Sequence, residues 1–167
     1  GWLDRMVRCF RSDERIGVVG PLGNTASWQS VPEIFDANGD WCLNPLPEGV
    51  SVNDMAAQVA DLALCQYPRV GFLNGFCYMV RRATLDEVGL FDEEAFGRGF
   101  GEENDFSLRA ASAGWELAVA DDAYVFHAQS RSYTSERRLK LAKIADDALN
   151  RKHGGALIGE QVQRTRG

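Results

Sequence analysis

The chain has 167 residues, 45% of them hydrophobic and 25% charged, a balance that supports one soluble domain with a proper core. Its formal charge of −6 excludes a general nucleic-acid surface, which needs a dominant basic footprint. No apolar run approaches the length of an integral membrane segment, and no charged-then-apolar signal opens the chain. The four cysteines share no metal-type spacing, so reduced thiols and a cytoplasmic location are expected.

In chain order, Leu3, Met6, Val7 and Phe10 fall on one face and predict a helix over 2–10. Neither cap nor turn precedes it, as at a cut end. Residues 16–19 are a β-branched run ended by Gly20 and Pro21, read as a buried strand leaving its sheet. Over 22–50, turn residues mix with Trp28, Phe35 and Trp41, the composition of an ordered functional loop. Asp36, Asn38 and Asp40 imitate a calcium loop, but Trp41 stands where that loop needs glycine and Pro47 where it needs glutamate. Ser51 and Asp54 have capping-box spacing and open an amphipathic helix to about Gln66. A strand over 70–80 is expected to break at Asn74-Gly75, and a short helix over 83–88 stops at Gly89.

The stretch 96–109, FGRGFGEENDFSLR, organises the rest. Gly97, Gly99 and Gly101 let the chain bend sharply toward a ligand, and helix takes over from Asn104, with Phe106, Ala110 and Ala113 on one stripe and Gly114 as its stop. Asp105 and Arg109 have i,i+4 spacing. Glu102, Glu103 and Asp105 therefore crowd a helix N-terminus, where the dipole favours ionised carboxylates and suits a proton acceptor. Ordinary capping chemistry explains the same residues. Two short strands are predicted over 115–119 and 123–127, turning at Asp121-Asp122, and the second delivers His127 at its end. A basic helix over 134–153 has Leu139, Leu141, Ile144 and Leu149 at helical spacing, so its charges read as a solvated face. His153 in its last turn complements the dipole. One α/β domain is expected over 1–155 and a frayed tail over 156–167. GRGFG lacks the dinucleotide spacing, and neither a P-loop nor a nucleophile elbow occurs.

Read together, GWLDRMV, IGVVGPLGN, NGFCYMVRR, VGLFDEEAFGRGFGEENDFSLRAASAGW and ADDAYVFHAQS resemble, in order, the second half of a family 2 glycosyltransferase. The resemblance implies a partial GT-A fold: a mixed sheet with flanking helices, lacking the N-terminal nucleotide-binding half. It implies Glu103 as the base that deprotonates the acceptor hydroxyl, one methylene longer than the family's usual aspartate. It further implies Glu102, Asn74, Gly75, Gly101 and Asp105 as substrate-binding residues and His127 as a ligand of a donor-bound divalent metal, manganese or magnesium.

The family's Asp-x-Asp motif normally lies just before a segment like GWLDRMV, and here the chain begins at Gly1, so an acceptor-side fragment is expected. Gln129 is not followed by the Gln-x-x-Arg-Trp of processive members. The implied activity is inverting, non-processive transfer from a nucleotide-sugar donor to a carbohydrate or glycolipid acceptor, with the isolated fragment inactive. The alternative from another class is a non-catalytic carbohydrate-binding or assembly module that keeps the fold.

Overall fold

A computed structural model describes residues 1–97, 100–128 and 135–166. Gly99, residues 129–133 of the Gln-x-x-Arg-Trp comparison and the expected helix start at Thr134 lie outside the described residues. The sheet is built on Ile16–Leu22 (β1), every residue of which except Leu22 is buried. It lies parallel to Glu116–Tyr124 (β4). Two short strands run antiparallel at the edges, Arg69–Val70 (β2) on β4 and Met79–Val80 (β3) on β1, giving the order β2-β4-β1-β3. A strand covered on both faces reads as a continuous apolar run, which is the pattern of β1.

Strand alternation sends Val19, Ala118 and Ala120 to one face, where Trp2–Ser12 (α1) buries Met6 and Cys9 against them. Val18, Leu117 and Val119 go to the other, against Phe106 and Ala110 of Glu102–Ser112 (α5). Ser135–His153 (α6) continues this side, packing Ala145, Ala148 and Leu149 on Leu108 and Phe96. Val52–Leu62 (α2) starts at the expected Ser51–Asp54 capping box and lies along β4, with no residue buried. Arg82–Val88 (α3) and the single turn Glu93–Phe96 (α4) lead into the glycine-rich bend. Among the described residues no helix is long and apolar enough to cross a membrane.

The structure departs from the sequence expectations in several places, each with a local cause. β1 continues through Gly20 and Pro21 because the Pro21 carbonyl is satisfied by the Gln29 side chain at 2.6 Å. β4 is one strand and does not turn at Asp121-Asp122. Its register slips between Ala120 and Tyr124, Asp121 accepts the backbone N–H groups of Gln66 and Tyr67, and the wholly buried Asp122 pairs with Arg8 and Arg5 of α1. Residues 71–78 are irregular, so the expected strand over 70–80 survives only as two-residue pieces on opposite edges. α2 ends four residues early, and the chain turns through Cys65 and Tyr67 at φ of 51° and 49° to reach Asp121.

The tail is not frayed. Gly155–Arg166 (α7) buries Gln161, and Thr165 Oγ1 accepts from the N–H groups of Gly71 and Phe72 at 3.0 and 3.2 Å, so the helix completes an otherwise open loop edge. The domain therefore includes α7 through Arg166.

α5 and α6 are joined by one carboxylate. Asp105 is 0% exposed and takes Arg109 at 2.8 Å, Lys152 at 2.8 Å and His153 at 2.7 Å, while Arg109 also donates to the carbonyls of Val88 and Leu90. Burial alone would raise the Asp105 pKa, but hydrogen bonds from Lys152, His153 and Arg109 outweigh it and hold the group below its ordinary value. Asp105→Ala strands the Arg109 and Lys152 cations and is expected to cost about 3–5 kcal/mol, read as a lower urea midpoint at unchanged slope. Because the folded pKa is depressed, the contribution is complete above pH of about 4 and disappears as pH falls through the folded value. An Asp105→Asn variant should lack that acid-dependent loss.

Candidate active site

The site begins with how α5 starts. Gly101 is its N-cap at φ +93°, and a Cβ there would meet Ala145 Cβ and Phe96 Cδ1, each at 2.9 Å, so only glycine brings the chain into the helix beside α6. Gly101 thus acts on the backbone. No side chain caps the helix, and Glu102, Glu103 and Asp105 occupy its first turn. Asp105 points into the α5–α6 junction and is saturated there, so the expectation that it meets substrate fails on burial. His153, expected only to complement a dipole, is one of its partners.

Glu103 is half-buried and faces Gly75, where an added Cβ would lie 3.2 Å from Glu103 Cγ and 3.4 Å from its Cβ and Cδ. The irregular loop before β3 can lie this close because Gly75 has no side chain. Asn74 fixes that loop: its N–H donates to Gln29 Oε1 at 2.6 Å, its Nδ2 donates to Ser27 Oγ at 3.0 Å, and its Oδ1 accepts from the Phe76 N–H at 3.0 Å. On the helix side, Ser107 Oγ donates to the Glu103 carbonyl at 2.7 Å and lies 2.9 Å from the Tyr78 hydroxyl. Glu102, Glu103, Asn74, Gly75 and Gly101, named together by the family resemblance, lie near one another at the start of α5 and the loop it packs against.

Two cavities meet at Glu103. One of about 360 Å³ is bounded by Asn74, Asn104, Leu108, Asp146, Trp28 and Trp41. The other, about 480 Å³, lies toward Gly75, Tyr78, Phe91 and Glu102. Glu102 Oε2 is buried with no hydrogen-bond partner among the described residues, a cost that a ligand hydroxyl would relieve. Burial is the largest influence on Glu103 and raises its pKa, and the neighbouring Glu102 carboxylate adds to the rise against the backbone hydrogen bonds of the first turn. The dipole expected to favour the ionised form is therefore outweighed.

His127 stands just beyond β4. Its backbone N–H donates to Asn24 Oδ1 at 2.7 Å, its Nδ1–H donates to the Thr25 carbonyl at 2.7 Å, and its ring stacks on Phe76 with centroids 5.1 Å apart. A carbonyl can only accept, so the proton is on Nδ1 and the Nε2 lone pair is the one available to a metal, the usual arrangement of a ligating histidine. Among the described residues no group of three or more His, Cys, Asp or Glu side chains converges that could hold a metal ion.

Several residues of the site carried no sequence signal. Gln29 is 2% exposed and ties β1 to Asn74, yet nothing in its spacing marks it. Asp146 reads as a solvated position of a basic helix. Trp28 and Trp41 were legible only as aromatics in a polar loop.

A direct test of the site's electrostatics is carboxyl titration by NMR in the intact chain. Glu103 is expected to titrate above the ordinary glutamate value of about 4.3. Glu102→Gln should lower it without restoring that value, because burial is the larger cause. A Glu103 carboxyl titrating at or below the ordinary value would contradict the burial.

The profile described as glycosyltransferase like family 2 matches residues 50–145, more than half of the chain and including Asn74, Gly75, Glu102, Glu103 and His127. Two curated relatives, each named N-acetylglucosaminyl-diphospho-decaprenol L-rhamnosyltransferase, come from Mycobacterium tuberculosis strains CDC 1551 / Oshkosh and ATCC 25618 / H37Rv. Each is 38% identical over 63 residues, which is 38% of this chain and 20% of the relative, so the match spans about a fifth of the relatives' length. The four-stranded mixed sheet with helices on both faces is the architecture expected for part of a GT-A fold. By this match, which includes the whole helix that carries the paired glutamates, the chain belongs to glycosyltransferase like family 2.

Proposed function

We propose that this chain is the acceptor side of an inverting, non-processive glycosyltransferase that moves a sugar from a nucleotide-sugar donor to a hydroxyl of a carbohydrate or glycolipid acceptor. The observation that carries this reading is Glu103, a half-buried carboxylate with a raised pKa where two cavities meet. Glu103 takes the proton of the acceptor hydroxyl as that oxygen bonds to the anomeric carbon, and the bond from this carbon to the diphosphate breaks, leaving with its electron pair. A base whose pKa lies nearer the working pH accepts a proton in the transition state more effectively, so burial helps the chemistry that the dipole alone would weaken. Glu102, with an unsatisfied buried oxygen, orients the acceptor.

Inversion needs one base on one face of the sugar. Glycoside hydrolysis needs two carboxylates on opposite sides of the bond, and Glu102 and Glu103 are successive residues of one helical turn. A manganese or magnesium ion would be held here by His127 through Nε2 and, when bound, would neutralise charge on the departing diphosphate. His127 itself is positioned for this by the Thr25 carbonyl and the Asn24 side chain. The names of the curated relatives pair rhamnosyl transfer with a lipid-linked N-acetylglucosamine, which supports a glycolipid acceptor. Four free thiols fit a reducing, cytoplasmic location.

Turnover of nucleotide sugar by the whole protein tests the assignment. Glu103→Gln should keep the fold and lose roughly two to four orders of magnitude in kcat. The wild-type rate should fall as pH drops through the raised Glu103 pKa, since only the carboxylate accepts the proton. Near-wild-type turnover in Glu103→Gln ends the assignment of the base, whereas no turnover by the wild-type protein leaves the non-catalytic carbohydrate-binding or assembly module as the reading. Separately, His127→Ala should weaken the manganese dependence of turnover; an unchanged dependence makes His127 structural.

A further inference from the structure

The 360 Å³ cavity beside Glu103 has two kinds of wall. One is apolar, with Trp28, Trp41 and Phe72 beside aliphatic side chains such as Leu108 and Ile158; the other is polar, formed by Asn74, Asn104 and Asp146. Trp28 is brought there by a strained turn. Ser27 has φ +53°, a left-handed conformation that costs energy for a residue with a Cβ and persists only where its surroundings hold it. Two amide side chains hold it: Asn74 Nδ2 donates to Ser27 Oγ, and Gln29, the last residue of the same 3-10 turn, bridges the Pro21 carbonyl and the Asn74 N–H.

The indole of Trp28 is also braced. Phe35 and Trp41 meet it edge-on at 5.5 and 5.0 Å and stack on each other at 4.9 Å, while the Arg166 guanidinium lies 5.5 Å over its ring. Core packing does not account for this cluster, because Phe35 remains 43% exposed and Trp41 47%. Rigid aromatic faces beside amide and carboxylate groups match the two sides of a pyranose, a C–H face and a rim of hydroxyls. Glu103 and Asp146 both face the cavity, so an anionic diphosphate is disfavoured there. The volume is at the small end of the roughly 300–1,000 Å³ of ligand pockets, enough for a sugar ring.

We propose that this cavity is the subsite for the acceptor's sugar ring, stacked on Trp28, with Asn74, Asn104 and Asp146 bonding its hydroxyls and one hydroxyl presented to Glu103. The proposal rests on Glu103 as the base, but sugar binding is measured without turnover. It makes Trp28 a specificity-determining residue: it reads the ring and takes no part in proton transfer.

The test titrates the 167-residue chain with the methyl glycosides of N-acetylglucosamine, glucose and rhamnose, following the side-chain amide resonances of Asn74 and Asn104. At least one glycoside should bind saturably with a millimolar Kd. Trp28→Ala should weaken it about tenfold or more. Trp28→Phe, which keeps a ring face, should retain most of the affinity and separates a lost stack from a lost fold. Uridine or thymidine diphosphate should not compete. Saturable binding by none of the three glycosides, unchanged affinity in Trp28→Ala, or displacement by either diphosphate overturns the proposal. Full turnover by Glu103→Gln with sugar binding intact would overturn only the assignment of the base.

Discussion

The fully buried carboxylate of Asp105 is the constraint on which the site depends. A charge taken out of water must be matched, and this one is matched by cations from two helices, Arg109 on α5 and Lys152 on α6, with a hydrogen bond from the His153 ring beside them. Because Arg109 also grips the carbonyls of Val88 and Leu90, the same ion cluster closes the connection from α3 to α4. The first turn of α5 therefore has little freedom to rotate about its axis, and Glu102 and Glu103 inherit that rigidity. Gly101 adds a second restraint, since its close approach to Ala145 and Phe96 sets where the helix begins.

At Glu103 two electrostatic effects oppose each other, and the structure shows which prevails. A helix N-terminus stabilises an anion by roughly 0.3–1 kcal/mol when exposed, and less than a buried site withholds by removing water. Gly75 is the cause of that burial, because without a side chain the loop closes against the Glu103 methylenes. The extra methylene relative to aspartate is thus accommodated by a loop that packs along it. Ser107 and Tyr78 hold the carbonyl of the same residue from below, so both the backbone and the stem of the side chain are fixed while its carboxyl stays at the junction of the cavities.

The parts of the fold legible in the sequence were those set by neighbours along the chain. The Ser51 capping box, the apolar face of α1, the i,i+4 pair of Asp105 and Arg109 and the long basic helix all follow from spacing within a few residues. What could not be read was set by partners far away. Asp121-Asp122 has the composition of a turn, and only Arg8, Arg5 and the backbone at 66–67 turn it into strand. Asp105 and Asp146 are chemically alike, yet the fold saturates the first with cations and leaves the second facing a cavity. The tail looked polar and unanchored because the groups it satisfies, the N–H groups of Gly71 and Phe72, lie more than ninety positions earlier. The cluster of Glu102, Glu103, Asn74 and Gly75 came from resemblance, and Gln29, which positions it, had no counterpart in any pattern.

α2 stands apart from this tightly held region. None of its residues is buried, it rests on one strand, and Leu62 and Leu64 at its end are 82% and 77% exposed. Its opening exposes little new apolar surface, so it forms a low-stability foldon whose amides exchange with solvent well before those of α5. The domain thus has a graded stiffness: the helix bearing the paired glutamates lies in its hardest part, and an outer helix can detach and return without disturbing the chemistry.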